Sequence, residues 1–258
     1  MRQPSTSLNG SNAGIIVDSL KHISGGTVLD VATGDGDFIS MLKKTLRGFD
    51  SFIGIDVSGK EIDAAKKSMG EAAEFFEMNA ENIEFEDGYF DTVCMANSLH
   101  HLDDVGLVLG EMKRVLKAGG HFILEEMFCD GGQTEAQRSD ILSHNLSADI
   151  DSVLGVPHRQ TFTRDEIMDF VAKSGLRKTD VFESSRYPKC LFCDDWARCE
   201  DPRNDSLVSF AIEEIDENLQ RLSDQDRTGF QEEAERVKER IRDQGVASAS
   251  ILFIIGKK

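Results

Sequence analysis

The sequence has few cysteines, few basic residues and no long apolar run, and each shortage argues against a class of protein. Five cysteines in 258 residues are an odd number at ordinary frequency, which argues against a disulfide framework. The balance of 29 basic and 47 acidic residues gives a formal charge of −18, which disfavours binding to nucleic acid or to anionic lipid. Apolar runs such as Ile251–Ile255 are too short to cross a bilayer, and residues 1–14 lack the apolar stretch of a signal peptide. We therefore predict a cytoplasmic protein.

Short apolar runs alternate with helical stripes through residues 15–185, and 40% of all residues are hydrophobic. The pattern predicts strands at Val28–Ala32, Ser51–Val57, Ala73–Met78, Phe90–Ala96, His121–Met127 and Arg177–Ser184, and a last strand at Ala249–Ile255. It predicts helices at Phe38–Leu46, Lys60–Met69, Val105–Leu116 and Thr163–Ser174. Strands that alternate with helices of this length are typical of an α/β fold with a doubly wound, mostly parallel sheet.

The alternation stops after residue 185. Residues 186–203 read as an irregular segment that contains three cysteines, and they are followed by two apolar stripes at helical spacing. The stripes consist of Val208, Ile212, Ile215, Leu219 and Leu222, and of Phe230, Ala234, Val237 and Ile241. We predict a core at residues 1–185, an inserted helical hairpin at 186–245 and the last strand at 246–258. The hairpin is expected to pack on itself and on the sheet edge; a lid, a substrate cap and a homodimer contact are the alternatives.

A glycine turn follows the first strand and opens the first helix of the core. Gly34 and Gly36 allow a ligand to approach the backbone there, and Asp56 ends the second strand at a spacing that suits a ribose. A dinucleotide fingerprint would need a third glycine at Ile39, and the acidic residues of the turn disfavour a diphosphate. The turn therefore fits a cationic nucleoside ligand better than a nicotinamide dinucleotide.

Five segments together resemble the class I S-adenosylmethionine-dependent methyltransferases, in the small-molecule group known as type 11. They read VLDVATGDGDF from residue 28, FIGIDVS from 52, MNAENIEFEDGYFDTV from 78, ANSLHHLDD from 96 and RVLKAGGHFILEE from 114. The resemblance implies a Rossmann-like seven-stranded sheet whose last strand is antiparallel. It also implies S-adenosyl-L-methionine as the cofactor and S-adenosyl-L-homocysteine as its product.

The resemblance carries a set of cofactor-binding residues onto this chain. The implied residues are Asp30, Ala32, Thr33, Gly34, Gly36, Asp56, Val57, Asn79, Ala80, Asn97 and Ser98. Two of them depart from the family pattern. Ala32 replaces a glycine of the first motif, and Asn79 replaces an aspartate beside the adenine.

His100 and His101 follow the fourth strand, where ligands bind in sheets of this type. Either histidine could act as a base or orient the acceptor, with a weak preference for His101; the alternative is that both only form a wall of the pocket. The segment lacks the Asn/Asp-Pro-Pro-aromatic motif of nucleic-acid amino-methyltransferases, which disfavours methylation of a base.

Two further groups of residues could bind a metal, although no metal site is predicted. The first consists of His144, Asp149, Asp151 and His158, together with His100 or His101. Ordinary surface polarity and helix capping are the preferred interpretation of this group. The second consists of Cys190, Cys193 and Cys199. For these cysteines, the preferred interpretation is that they are reduced thiols in a small apolar pocket with Leu191, Phe192 and Trp196, and not metal ligands.

These observations predict methyl transfer to a small-molecule acceptor. A protein side chain or a metalloid is the alternative acceptor, and a non-catalytic regulator or scaffold that binds the cofactor is the alternative of another class. The acidic excess lies mainly at residues 71–91, with eight acidic and no basic residues, and at 190–245, with sixteen acidic and eight basic residues. We therefore expect a neutral or cationic acceptor rather than a polyanionic one.

Overall fold

A seven-stranded sheet organises the chain in a computed structural model that describes residues 12–192 and 200–258. The strands are β1 (Thr27–Val31), β2 (Ser51–Asp56), β3 (Glu74–Glu77), β4 (Phe90–Ala96), β5 (Leu116–Met127), β6 (Arg177–Ser184) and β7 (Ile251–Lys257). Their order in the sheet is β3, β2, β1, β4, β5, β7, β6. Strands β1 to β5 pair in parallel, and β7 runs antiparallel to both β5 and β6. The predicted Rossmann-like sheet with an antiparallel last strand is therefore confirmed.

Helices cover both faces of this sheet because neighbouring residues of each strand point to opposite sides. The helices are α1 (Ala13–Leu20), α2 (Asp37–Thr45), α3 (Gly59–Met69), α4 (Val105–Val115), α5 (Glu135–Val153), α6 (Arg164–Lys173), α7 (Asp205–Gln220) and α8 (Asp224–Gln244). Apolar side chains of α1, α2 and α3 form the core on one face, and those of α4 and α6 form the core on the other. Within the described residues, no helix is both long enough and apolar enough to cross a bilayer.

Most predicted elements occur within a few residues of their expected bounds, with three differences. Strand β5 begins at Leu116 instead of His121, because Leu116 already pairs with Phe90 before the register shifts. Helices α1 and α5 were not predicted. Helix α5 has no clear apolar stripe, since the polar side chains of Gln137 and Ser139 are buried in it as fully as its apolar ones.

The two apolar stripes after residue 204 form α7 and α8, and they pack together as predicted. Their apolar cluster also contains Leu146 and Ile150, both from α5. The hairpin therefore packs on a helix that the sequence pattern did not predict. The division of the chain into a core, an insertion and a final strand stays a prediction.

Candidate active site

The turn after β1 is held by a buried carboxyl. Asp30 is 1% exposed, and its Oδ2 accepts a hydrogen bond of 2.7 Å from Oγ1 of Thr33. Burial raises the pKa of Asp30 to about 7. Gly34, the residue after Thr33, has φ +53°, and a Cβ at this position would project into open space. This space is part of a cavity at the carboxyl ends of β1 and β4, where ligands bind in such sheets.

Two residues beside the turn adopt a backbone conformation that favours glycine. Ala32 has φ +54° and Asn97 has φ +46°, and they are the non-glycine residues with positive φ in the described part of the chain. An L-residue in the left-handed region costs about 1–2 kcal/mol. Both residues line the same cavity, and strained residues of this kind cluster at ligand sites.

The cavity has a volume of about 260 Å³, and it brings together six of the predicted cofactor residues. These six are Asp30, Ala32, Thr33, Gly34, Asn97 and Ser98. Glu125 and Lys189 line it as well, although the sequence analysis had not selected them. Glu125 lies at the carboxyl end of β5 beside Asn97, as the register of β4 and β5 requires. An acidic residue at the end of a central strand was the signal that could have identified it.

The Glu125 carboxylate is an unusual group in this cavity. It is 3% exposed, and its Oε1 accepts a hydrogen bond of 3.2 Å from Nδ2 of Asn97, whereas its Oε2 has no partner among the described residues. Burial raises the pKa of Glu125 to about 8, although the positive charge of Lys189 opposes the shift. A buried carboxylate oxygen without a partner fits a ligand that carries an ammonium or sulfonium charge.

Asp56 joins the end of β2 to the glycine turn. Its Oδ2 accepts from the backbone N–H of Gly34 at 3.0 Å, and its Oδ1 accepts from that of Ser58 at 2.9 Å. These two bonds fix the carboxylate beside the turn. Gly36, with φ +88°, is the N-cap residue of α2 and completes the turn.

The other predicted cofactor residues lie in the loops after β2 and β3 and do not line the cavity. Val57 is 73% exposed, and Asn79 is also exposed. Oδ1 of Asn79 accepts a hydrogen bond of 2.9 Å from the backbone N–H of Glu81. Ala80 packs against the core. Their roles in binding an adenine stay predictions.

A second cavity, of about 760 Å³, adjoins the first. The two cavities share Asp37, Met41, Asn97 and Lys189 in their linings. Four histidines line the larger cavity: His100, His101, His144 and His158. We call these residues the histidine cluster and the larger space the acceptor cavity.

Three histidines of the cluster have one ring nitrogen engaged by a neighbour. Nδ1 of His100, which is 3% exposed, lies 2.7 Å from Oε1 of Glu126. Nδ1 of His158 lies 2.7 Å from Oδ2 of Asp151. Nδ1 of His144 lies 3.2 Å from Oγ1 of Thr161. Each carboxylate can accept from Nδ1–H of its imidazole, which leaves Nε2 of His100 and Nε2 of His158 free of a carboxylate partner.

The remaining nitrogens of the cluster lie close together. Nε2 of His158 is 3.1 Å from Nε2 of His144. Burial, followed by the effect of the three other imidazoles, lowers the pKa of His144 to about 3, so its ring is neutral at pH 7. His101 is more exposed, and its ring centroid is 4.3 Å from those of both His100 and His158. Both candidate catalytic histidines therefore face the acceptor cavity.

The preferred interpretation of the first candidate metal group, ordinary surface polarity and helix capping, was wrong for three of its four residues. His144, Asp151 and His158 belong to the lining or support of the acceptor cavity. The reason is the unpredicted helix α5, which carries two of them inward. Asp149 differs, because its carboxylate accepts from Nε2 of Gln160 at 2.9 Å outside the cluster.

Of the cysteine group, Cys190 lines the acceptor cavity, whereas Cys193, Cys199 and the nearby Trp196 lie outside the described residues. The expected small apolar pocket was wrong for the two apolar neighbours that are described. Leu191 is 47% exposed and Phe192 is 38% exposed, because the short helix Pro188–Phe192 lines the acceptor cavity instead of entering the core.

Comparisons with known proteins agree with this arrangement. The profile of a family described as "Methyltransferase domain" matches residues 29–124. A demethylmenaquinone methyltransferase of Bacteroides fragilis is 33% identical over 106 residues, which cover 39% of this chain and 42% of that protein. A ubiquinone/menaquinone biosynthesis C-methyltransferase of Geotalea daltonii is 32% identical over 115 residues, which cover 43% of this chain and 49% of that protein. The match thus spans less than half of the length of either relative.

Likeness to solved structures extends over nearly the whole chain. The cyclase SpnF superposes with a TM-score of 0.58 at 16% identity, over 95% of this chain and 80% of that one. At such identity the likeness establishes the fold alone. The glycine turn, the matched segment at residues 29–124 and the sheet topology agree, and this part of the chain is similar to a methyltransferase domain.

Proposed function

We propose that this protein transfers a methyl group from S-adenosyl-L-methionine to a small-molecule acceptor by in-line displacement. The contiguity of the two cavities carries the proposal, since a ligand at the glycine turn would face an acceptor across Asn97 and Met41. The cofactor, when bound, supplies a methyl group activated by its sulfonium sulfur. The protein then needs mainly to position the acceptor and to exclude water, which is a task of proximity and orientation.

The residues around the glycine turn have the chemistry for this cofactor. The Asp56 carboxylate can accept from ribose hydroxyls, and the unpartnered oxygen of Glu125 can accept from the ammonium group. Thr33 and Ser98 offer hydroxyls at the cavity wall. In the acceptor cavity, His101 or His100 would hold or remove a proton of the acceptor.

A neutral or cationic acceptor fits this site better than a polyanionic one. Asp37 and Asp140 line the acceptor cavity together with Lys44 and Lys189, so the cavity has no excess of positive charge. The relatives named above are methyltransferases of quinone biosynthesis, which makes a phenol-like ring a reasonable first acceptor to test. A protein side chain or a metalloid is the alternative acceptor, and a non-catalytic cofactor-binding regulator is the alternative function.

Calorimetry tests the cofactor, and transfer of a labelled methyl group tests the reaction. We expect S-adenosylhomocysteine to bind and NAD not to bind. Asp56→Ala should weaken S-adenosylhomocysteine binding about tenfold or more, because it removes a charged acceptor of hydrogen bonds. The control is Asp50→Ala, at an exposed position outside the cavity. Binding without methyl transfer to any neutral or cationic acceptor would favour the regulator, and failure of S-adenosylhomocysteine to bind would refute the proposal.

Location and assembly belong to the same proposal. We predict a cytoplasmic enzyme and retain a homodimer through α7 and α8 as a hypothesis. Cell fractionation tests the first, and the mass in solution, measured by light scattering, tests the second.

A further inference from the structure

We propose that His100, His144 and His158 form a binding site for one divalent transition-metal ion in the acceptor cavity. The proposal concerns metal binding by these three side chains, and this binding does not depend on the proposed methyl transfer.

The ring nitrogens of the three histidines lie close together. One ring nitrogen from each of the three histidines lies within 4.8 Å of the other two. A zinc ion binds imidazole nitrogen at about 2.0–2.1 Å, so two nitrogens on one tetrahedral ion are about 3.4 Å apart. The pair formed by Nε2 of His144 and Nε2 of His158, at 3.1 Å, is already near that separation. An ion bound by all three rings would draw the His100 nitrogen from within 4.8 Å to about 3.4 Å of the other two.

Two of the three rings have a carboxylate at their other nitrogen. Metal-binding histidines usually donate their other N–H to a carboxylate or an oxygen that fixes the ring orientation. Glu126 contacts Nδ1 of His100 and Asp151 contacts Nδ1 of His158, both at 2.7 Å. Each of these two carboxylates also contacts a second group of the protein through its other oxygen.

The supports of the two carboxylates come from different parts of the chain. Oε2 of Glu126 accepts from the backbone N–H of Leu99 at 2.8 Å. Oδ1 of Asp151 lies 2.6 Å from the Arg221 guanidinium, which the helical hairpin supplies. With Nδ1 engaged in this way, Nε2 of His100 and Nε2 of His158 are the ring nitrogens left for an ion. This is the arrangement expected around an ion.

The ligand type selects the class of metal. Neutral imidazoles favour zinc, iron, cobalt, nickel and copper, whereas magnesium and calcium prefer oxygen ligands. Three protein ligands leave at least one position for a water or for an acceptor oxygen. An ion there would lower the pKa of a bound hydroxyl, and only this role towards the acceptor depends on the proposed function.

A metal-free arrangement of the same rings makes a different prediction. If Nδ1 of His144 accepts from the Thr161 hydroxyl, Nε2–H of His144 can donate directly to Nε2 of His158. The short distance would then be a hydrogen bond between two neutral rings, and no metal would bind. Cys190, which lines the same cavity, offers a second alternative ligand.

The test uses the full-length protein, stripped with a chelator and dialysed against micromolar zinc or cobalt. We expect one ion per chain by elemental analysis, and with cobalt an absorption spectrum typical of nitrogen ligands. The double variant His144→Gln/His158→Gln should lose stoichiometric binding. Asp151→Asn should weaken binding about 10- to 100-fold, because it removes the carboxylate that supports His158 and retains all three imidazole ligands.

The controls separate this site from other metal sites and from misfolding. His22→Gln and His121→Gln change histidines outside the cluster, and both variants should bind one ion with the affinity of the natural protein. Circular dichroism and S-adenosylhomocysteine binding without metal report whether each variant is folded. A natural protein that binds no stoichiometric metal would refute the proposal. Unchanged binding by the double histidine variant, or loss of binding in Cys190→Ser, would also refute it. Failure of S-adenosylhomocysteine to bind would refute the proposed function and leave this site standing.

Discussion

The hydroxyl of Tyr187 donates a hydrogen bond of 3.2 Å to Oδ1 of Asn97. The two residues are ninety positions apart in the sequence. Their hydrogen bond holds the segment after β6 against the loop after β4. Asn97 lines both cavities, and Lys189, two residues beyond Tyr187, also lines both. Nζ of Lys189 forms an ion pair with Oδ2 of Asp37 at 2.9 Å, and this pair holds the same segment against the start of α2. The segment after β6 therefore closes one side of the candidate active site.

Tyr187→Phe removes this hydrogen bond and retains the ring. We expect S-adenosylhomocysteine binding to weaken about two- to tenfold, which corresponds to the usual net value of about 0.5–1.5 kcal/mol for a hydrogen bond. The KM for an acceptor should rise similarly. Calorimetry measures the first effect and steady-state kinetics the second. Tyr89→Phe is the matched control, because Tyr89 is 47% exposed outside both cavities, and equal effects of the two substitutions would contradict this role.

The buried carboxyl of Glu125 should make the stability of the protein depend on pH. Burial raises its pKa from 4.5 to about 8, so between these values the folded protein holds a proton that the unfolded chain has lost. The free energy of unfolding should therefore fall as pH rises from about 5 to 8, by up to about 1.4 kcal/mol per pH unit from this group. Glu125→Gln removes this contribution.

Urea denaturation of the natural protein and of Glu125→Gln at several pH values measures the difference. The advantage of the variant should be small near pH 5 and grow towards pH 8. Glu74→Gln, at an exposed position on β3, should leave the pH dependence unchanged. Binding of a cationic cofactor should also release a proton from Glu125 at pH 7, which calorimetry in buffers of different ionisation enthalpy detects. Parallel stability curves for the natural protein and Glu125→Gln would contradict the assignment.

The sequence predicted the sheet and the glycine turn because both depend on short-range patterns. Buried parallel strands are continuous apolar runs, and a turn that needs left-handed backbone selects glycine, as at Gly34 and Gly36. Asp56 could be placed beside the turn because parallel strands end at the same edge of the sheet. Six of the predicted cofactor residues consequently line one cavity.

The histidine cluster could not be predicted in the same way. His100, His144 and His158 come from a short 3-10 helix, an α-helix and a loop, and their separation along the chain carries no periodic signal. Helix α5, which positions His144, buries polar side chains against polar partners. Gln137, for example, donates to the carbonyl of Ser248 at 3.1 Å and to Oγ of Ser250 at 3.2 Å. Only the Thr134 and Gln137 capping box marked the start of this helix in the sequence.

Ala32 stands in a conformation that glycine adopts without strain. Ala32→Gly should raise the free energy of unfolding by up to about 1 kcal/mol, because relief of the left-handed strain exceeds the entropy that glycine adds to the unfolded chain. Ala32→Val should lower it, since a β-branched residue is strained further. Thermal or urea denaturation measures both effects. Ala65→Gly, in the helical conformation of α3, should lower stability by about 1 kcal/mol or more, and a similar loss in Ala32→Gly would contradict the strain.

The contact between the helical hairpin and α5 should contribute strongly to stability. Ile215 of α7 is 1% exposed in the cluster that also contains Leu146 and Ile150 of α5. Ile215→Ala should lower the free energy of unfolding by about 2–4 kcal/mol, because it removes buried methyl groups and leaves a cavity. Phe210→Ala is the control on the same helix, since Phe210 is 59% exposed, and it should change stability by less than about 0.5 kcal/mol.

The same pair of variants also tests whether the hairpin supports the candidate active site. Because α5 carries His144 and Asp151, loosening its packing should weaken acceptor binding in Ile215→Ala and leave it unchanged in Phe210→Ala. Measured at a temperature where both variants are folded, the KM for an acceptor should rise only in the first. If Ile215→Ala lost stability with no change in KM, the hairpin would stabilise the fold without positioning the site. If both variants changed the mass in solution, α7 would instead contribute to an interface between two copies of the chain.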